Sequence, residues 1–206
     1  VYFFKKAFNT IFNKDGRPLV DRLKNKVLLK NVVYKKSLEG QLTQTDKDNG
    51  LLLISLNQKL LDEMFEKYKH EIPYRKYNIL RKRLSEGSTD TPYVVIDSNN
   101  EFYGYYNISF GENFDPATNY IVPDELHNIY LFDDYTFVDK RGKGAHKFSV
   151  LSRLREGKKK GFKTATVIIR DGNINSEKSY GKYGFTKSKE IKYYKYINKT
   201  VVKELK

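Results

Sequence analysis

The chain has 206 residues, with 39 Lys and Arg against 25 Asp and Glu, a formal charge of +14. It has no Cys and three scattered His, which excludes a disulfide scaffold, thiolate zinc sites and a cysteine nucleophile, and no metal is expected. No apolar run approaches the roughly 20 residues of a membrane span. The basic surplus suits anionic partners, namely nucleic acid, anionic lipid or a phosphorylated cofactor, but its spread along the chain equally suits a solvated surface.

Residues 2–13 read as a short amphipathic helix, with Phe3, Phe4, Ala7, Phe8, Ile11 and Phe12 on one face. Such a face packs on the domain or a partner, or lies on a membrane surface, so peripheral membrane contact through residues 2–13 is one expectation. Asp15-Gly16-Arg17-Pro18 breaks the chain. The chain therefore divides into an extension, 1–26, and a single domain, 27–206. The opening Val1 suggests a native start that is missing or processed.

Val27 to Leu38 reads as a strand, and residues 39–50 as a polar loop. Leu56, Leu60, Leu61, Met64, Phe65 and Tyr68 fall at helical spacing. A second helix starts at Pro73, carries Tyr77, Leu80 and Leu84, and stops at Gly87. Tyr93–Asp97 and Glu101–Phe110 form a hairpin around Ser98-Asn99-Asn100. Residues 111–126 are a long loop. His127–Val138 is a strand, followed by a helix with Ala145, Phe148, Leu151 and Leu154 on one face. Phe162–Arg170 is β-branched, Asn173–Tyr183 a short helix ended by Gly184, and Lys189–Ile197 a final aromatic strand. This order is a mixed α/β fold around one sheet.

The segment Arg141-Gly142-Lys143-Gly144-Ala145-His146 joins a strand to a helix. Glycines there let backbone N–H groups approach an anion, and the helix N-terminus adds partial positive charge. Neither the P-loop nor the dinucleotide-binding spacing is met. Alone, the turn fits an ordinary loop as well as a phosphate site.

It resembles the acyl-CoA pyrophosphate loop of the GCN5-related N-acetyltransferases, [Q/R]-x-x-G-x-[G/A]. About thirty residues on, Asn173, Ser176, Tyr180, Lys182, Gly184 and Phe185 are similar, at the same spacing, to that family's second pattern, N-x-x-[A/S]-x-x-x-Y-x-K-x-G-F. The resemblance covers Ile129–Phe185. It departs at His146, where the family has Gly or Ala. Pointing inward, the ring would crowd the pyrophosphate; pointing outward, it is a solvent-facing residue of the first helical turn.

The resemblance implies a twisted, mostly antiparallel sheet flanked by helices, with the family's fourth and fifth strands splayed around acyl-CoA. It implies acetyl transfer from acetyl-CoA to an amine by direct attack. Cofactor contacts would come from Tyr135, Thr136, Phe137, the loop from Arg141 to His146, Asn173 and Ser176. Tyr180 matches the thiolate proton donor. Asp133 and Asp134 are candidate bases, and strand alternation sends one to each face. A small-molecule amine is the expected acceptor, with an amino sugar as a subfamily hint and a protein or polyamine as the alternative. Asp115, Asp124 and Glu125 in the long loop would attract a cationic acceptor. A cytoplasmic enzyme and a homodimer complete these expectations. No specific nucleic acid is expected; the competing reading is a basic nucleic-acid or partner-binding module on a non-catalytic fold, using Lys192-Tyr193-Tyr194-Lys195-Tyr196.

Overall fold

The computed structural model describes residues 27–40 and 50–205, so the amphipathic segment 2–13 lies outside the described residues. In chain order the elements are β1 (Leu28–Ser37), β2 (Leu52–Ser55), α1 (Gln58–Tyr68), α2 (Tyr74–Arg83), β3 (Asp90–Ile96) and β4 (Phe102–Phe110). Then come β5 (Asn113–Asp115), β6 (Tyr120–Val122), β7 (Asn128–Thr136), α3 (Ala145–Lys159) and β8 (Thr164–Arg170). The chain continues through α4 (Ile174–Lys182), β9 (Thr186–Tyr194) and β10 (Lys199–Glu204).

Local chemistry sets several of these boundaries. The Asn57 side chain caps α1 by accepting from the Leu60 N–H at 2.9 Å. Pro73 sits at the entrance of α2, where its fixed φ and missing N–H cost nothing. Gly144, at φ 81°, starts α3 from a left-handed conformation that a residue with a Cβ adopts only under strain.

Eight strands form one sheet in the order β10-β9-β1-β8-β7-β4-β3-β2. Every neighbouring pair is antiparallel except β7 and β8. One face buries Val32, Leu131, Val167, Val150 and Leu154 of α3, and Tyr180 of α4. The other buries Leu61 and Met64 of α1, Leu80 of α2, Tyr105 and Phe137.

Three features depart from the sequence reading. The expected loop 111–126 contains the β5–β6 hairpin, whose strands are too short to show alternation. Its turn is braced locally, Asp115 accepting from the Thr118 hydroxyl, and from afar by the Thr200 hydroxyl, 2.8 Å from the Thr118 carbonyl. β2 also goes unread, being four residues long and without period. The last strand is β10, not the aromatic segment before it. It is a mostly exposed edge with little apolar pattern to read.

Phe137 was expected near the cofactor, but its ring is fully buried and stacks on Tyr68 with centroids 3.7 Å apart. Phe137→Ala is therefore expected to cost about 3–5 kcal/mol of unfolding free energy, measured by urea denaturation.

Candidate functional site

β7 and β8 pair only from Asn128–Thr164 to Leu131–Val167. Beyond that point β7 stays with β4, through Thr136, and β8 stays with β1, through Arg170. The strands part, and a cleft of about 1170 Å³ opens between them. It runs from Arg141 and His146 at the start of α3, past Asp133 and Asp134, to Lys76 and Arg83 on α2. The β5–β6 hairpin contributes Phe114 to the same cleft.

The glycine turn lies beside this cleft. Gly142 and Gly144 have φ of 77° and 81°, both are exposed, and open space lies where a Cβ would sit. The first-turn N–H groups of α3 have no intrahelical acceptor, and Gly144 offers no capping side chain. Arg141 and Lys143 are exposed, and Ala145 is buried. The Arg141 Nε donates to the Thr136 carbonyl at 3.3 Å, which ties the turn to the end of β7. The arrangement suits a polyphosphate, since backbone donors, helix dipole and two cations converge.

The two aspartates do face opposite ways, but a bulge decides which way. Strict alternation would put Asp133 on the face of Ile129 and Leu131, toward α3. Instead Asp133 takes φ 51°, and the β4–β7 register shifts between Tyr105 and Asn107. Asp133 therefore meets α2. Its carboxylate accepts from Lys76 Nζ and an Arg83 NH, both at 2.6 Å. Each oxygen accepts from one cation and keeps a second lone pair for a further donor. Arg83 also donates to Asn107 Oδ1 at 2.9 Å and lies over the Phe132 ring.

Asp134 meets α3 and α4. Arg153, fully buried, clamps it with two bonds of 2.8 and 2.6 Å. The same guanidinium donates to the Asn107 carbonyl. Burial alone would lower the Arg153 pKa, but the carboxylate raises it overall. The Tyr180 hydroxyl donates to the same Asp134 Oδ2 at 3.2 Å. Burial, then the Asp134 charge, push the Tyr180 phenol well above its usual range, so it keeps its proton at neutral pH.

His146 points inward. Its Nε2 lies 3.7 Å from Asp134 Oδ2, its Nδ1 3.4 Å from Ser179 Oγ, and its ring stands edge-on to Tyr180. Burial lowers its pKa below the ordinary value; the Asp134 charge opposes this and Arg153 adds to it.

The other expected residues divide. The Tyr135 hydroxyl donates to Glu71 at 2.9 Å and Thr136 bonds Tyr106 at 2.8 Å. The Phe137 N–H donates to the Tyr103 carbonyl, which removes that donor from the cleft. The Asn173 side chain caps α4 by accepting from the Ser176 N–H at 3.3 Å, and both residues still line the cleft. The loop acids are already partnered: Asp124 accepts from the Asn128 N–H, Glu125 pairs with Lys35, and Asp115 holds its own turn. Lys76, Arg83 and Arg153 went unread. The first two lie seven residues apart on α2, hence on one side. Arg153 sits in the Val150–Leu154–Gly157 stripe, where a cation on an apolar face is the available signal.

No protein-family model matches the sequence, and no curated protein matches it. Solved structures do. A GCN5-related N-acetyltransferase from Sphaerobacter thermophilus gives a TM-score of 0.57 at 11% identity, over 90% of this chain and 56% of that one. A glucosamine N-acetyltransferase region of a fungal multi-domain β-N-acetylglucosaminidase gives 0.60 at 11%, over 79% and 20%. Aminoglycoside N-acetyltransferase AAC(6')-Iy in complex with CoA gives 0.52 at 14%, over 66% and 88%. The chain spans 66% of a functionally unknown conserved protein from Staphylococcus epidermidis and 55% of a Drosophila protein. The chain has the fold of the GCN5-related N-acetyltransferases.

Arg153→Ala should leave Asp134 buried without its cation and cost about 3–5 kcal/mol. Replacing both residues by Leu should cost less than the single change, because no charge is stranded. Chemical denaturation of the three variants measures this, and an Arg153→Ala loss below that of the double variant would refute it.

Proposed function

We propose that the protein is an acyl-CoA-dependent N-acetyltransferase that moves the acetyl group of acetyl-CoA to a primary amine of a small molecule. The observation that carries this reading is the cleft through the parted β7 and β8, with the glycine turn and the start of α3, which has no side-chain cap, beside it. Arg141, Lys143 and the first N–H groups of α3 would hold the pyrophosphate. Acetyl-CoA, when bound, supplies an activated thioester carbonyl.

On this reading the two halves of the cleft have separate tasks. The α2 half receives the amine. Asp133, held in place by Lys76 and Arg83, binds a water on a remaining lone pair, and that water takes the amine's first proton. The α3 and α4 half holds the thioester. Tyr180, which stays protonated, turns its single O–H from Asp134 to the departing sulfur. An amino sugar is the favoured acceptor class. Phe132 lines the cleft under Arg83 and is backed by the buried Tyr130, stacked at 5.0 Å, an aromatic surface with polar groups beside it that suits a hydroxylated ring. Two proteins of similar fold are an aminoglycoside N-acetyltransferase and a glucosamine N-acetyltransferase region. The partnered state of Asp115, Asp124 and Glu125 speaks against a polyamine.

Purified protein incubated with acetyl-CoA and a panel holding glucosamine, an aminoglycoside, a peptide amine and spermidine tests the acceptor. Turnover should favour the amino sugars. Calorimetry tests the cofactor: wild type should bind CoA, and Gly144→Val, strained at φ 81° and bulky at the turn, should weaken it at least tenfold. Unchanged affinity with an intact fold removes the loop from the site.

Tyr180→Phe deletes only the hydroxyl. It is expected to lower kcat about 10²-fold, within the range of acid–base effects, with CoA affinity little changed. A kcat within twofold, with chemistry rate-limiting, would make Tyr180 a packing residue only.

A further inference from the structure

Tyr180 and His146 converge from different elements on one oxygen of Asp134, at the level where β7 and β8 have parted. Of these, the imidazole is the group that titrates near neutrality. The groups facing it are Asp134 on β7, Arg153 on α3, Tyr106 on β4, and Ser179 and Tyr180 on α4. Tyr106 and Tyr180 are both raised by burial and carry no charge at neutral pH.

The separation of 3.7 Å between Nε2 and Asp134 exceeds a hydrogen bond. The carboxylate is already spent on Arg153, so it leaves Nε2 open while its charge stays close enough to favour an imidazolium. Ser179 at 3.4 Å from Nδ1 supplies an oxygen on the ring's other side, which suits a proton on Nδ1 and a lone pair on Nε2. The lowered pKa keeps the ring neutral at pH 7, ready to accept.

We propose that His146 carries the proton from the acceptor nitrogen to the departing sulfur. This role rests on the acyl-transfer reading above. The amine attacks with one proton already lost. As the N–C bond forms, Nε2 takes the proton that the nitrogen must still shed. As the C–S bond breaks, the imidazolium returns that proton to sulfur. Nitrogen loses one proton, sulfur gains it, and His146 ends unchanged. The bulk at the loop's last position thus has a use, since a Gly or Ala there offers no such group.

The decisive measurement needs no acceptor. The three His are followed by the NMR shifts of their ring protons over pH, with His146→Gln assigning the resonance. CoA and desulfo-CoA are the probes. CoA should move the His146 titration curve, and desulfo-CoA, bound with similar affinity, should not. If both bind and neither moves the curve, or both move it alike, the ring is away from the sulfur and the proposal fails. If calorimetry finds no CoA binding to wild type, the acyl-transfer reading itself falls.

Kinetics with an accepted amine add a second readout. Below the His146 pKa, both the amine and the ring must lose a proton, so log kcat/KM should rise with slope two against pH, then one. In His146→Gln the slope should be one throughout, with kcat down about 10²-fold. A variant that keeps the wild-type profile overturns the role even if its kcat falls.

Discussion

A charge pair taken out of water organises this molecule. Arg153 is fully buried, and its partner Asp134 is nearly so. Such a pair adds little net stability over apolar packing, because both ions lose hydration. It does impose geometry, since neither ion tolerates a wrong neighbour. The guanidinium leaves α3, clamps Asp134 on β7, and takes the Asn107 carbonyl of β4. α3 is thereby pinned across two strands at the level where β7 leaves β8. The glycine turn opens this same helix, so its position relative to the cleft follows from the pair.

The bulge at Asp133 is the complementary constraint. One residue in the left-handed region lets adjacent aspartates serve opposite faces while reversing which one goes where. Asp is among the residues that tolerate this region, through its short polar side chain. The disrupted ladder is repaired by side chains. Asn107 donates to the Asp133 carbonyl, and the Asn107 N–H turns to Asp134. The chemistry of the cleft and the irregularity of the strand are therefore one feature.

Long periodic elements were legible in the sequence: α1, α2 and α3 by apolar spacing, and β1, β4, β7 and β8 by β-branched and aromatic runs. The two spaced motifs led to the turn and to α4, which the structure brings to one cleft. Short elements were not legible, because three or four residues carry no period. The partners of Asp133 and Asp134 were not legible either. Lys76, Arg83 and Arg153 are three of 39 cations, and only the fold selects which reach a carboxylate. The direction of His146 was open for the same reason. A first-turn residue faces solvent or sheet according to how the helix sits, and Arg153 decides that.

β1 is the first strand among the described residues, yet it lies between β8 and β9, with Val33 opposite Ile168 on one side and Lys189 on the other. During synthesis it leaves the ribosome before either neighbour exists. Until β8 and β9 follow, both its edges are unpaired, a state that invites chaperone binding or pairing with another chain. Closing so long a loop is an entropic barrier that places this half of the sheet among the slow-forming topologies. One wall of the cleft is β8, whose outer neighbour is β1. The parted strands thus acquire their second side only when β1 meets β8 across the intervening sequence, so the cleft is completed late in folding.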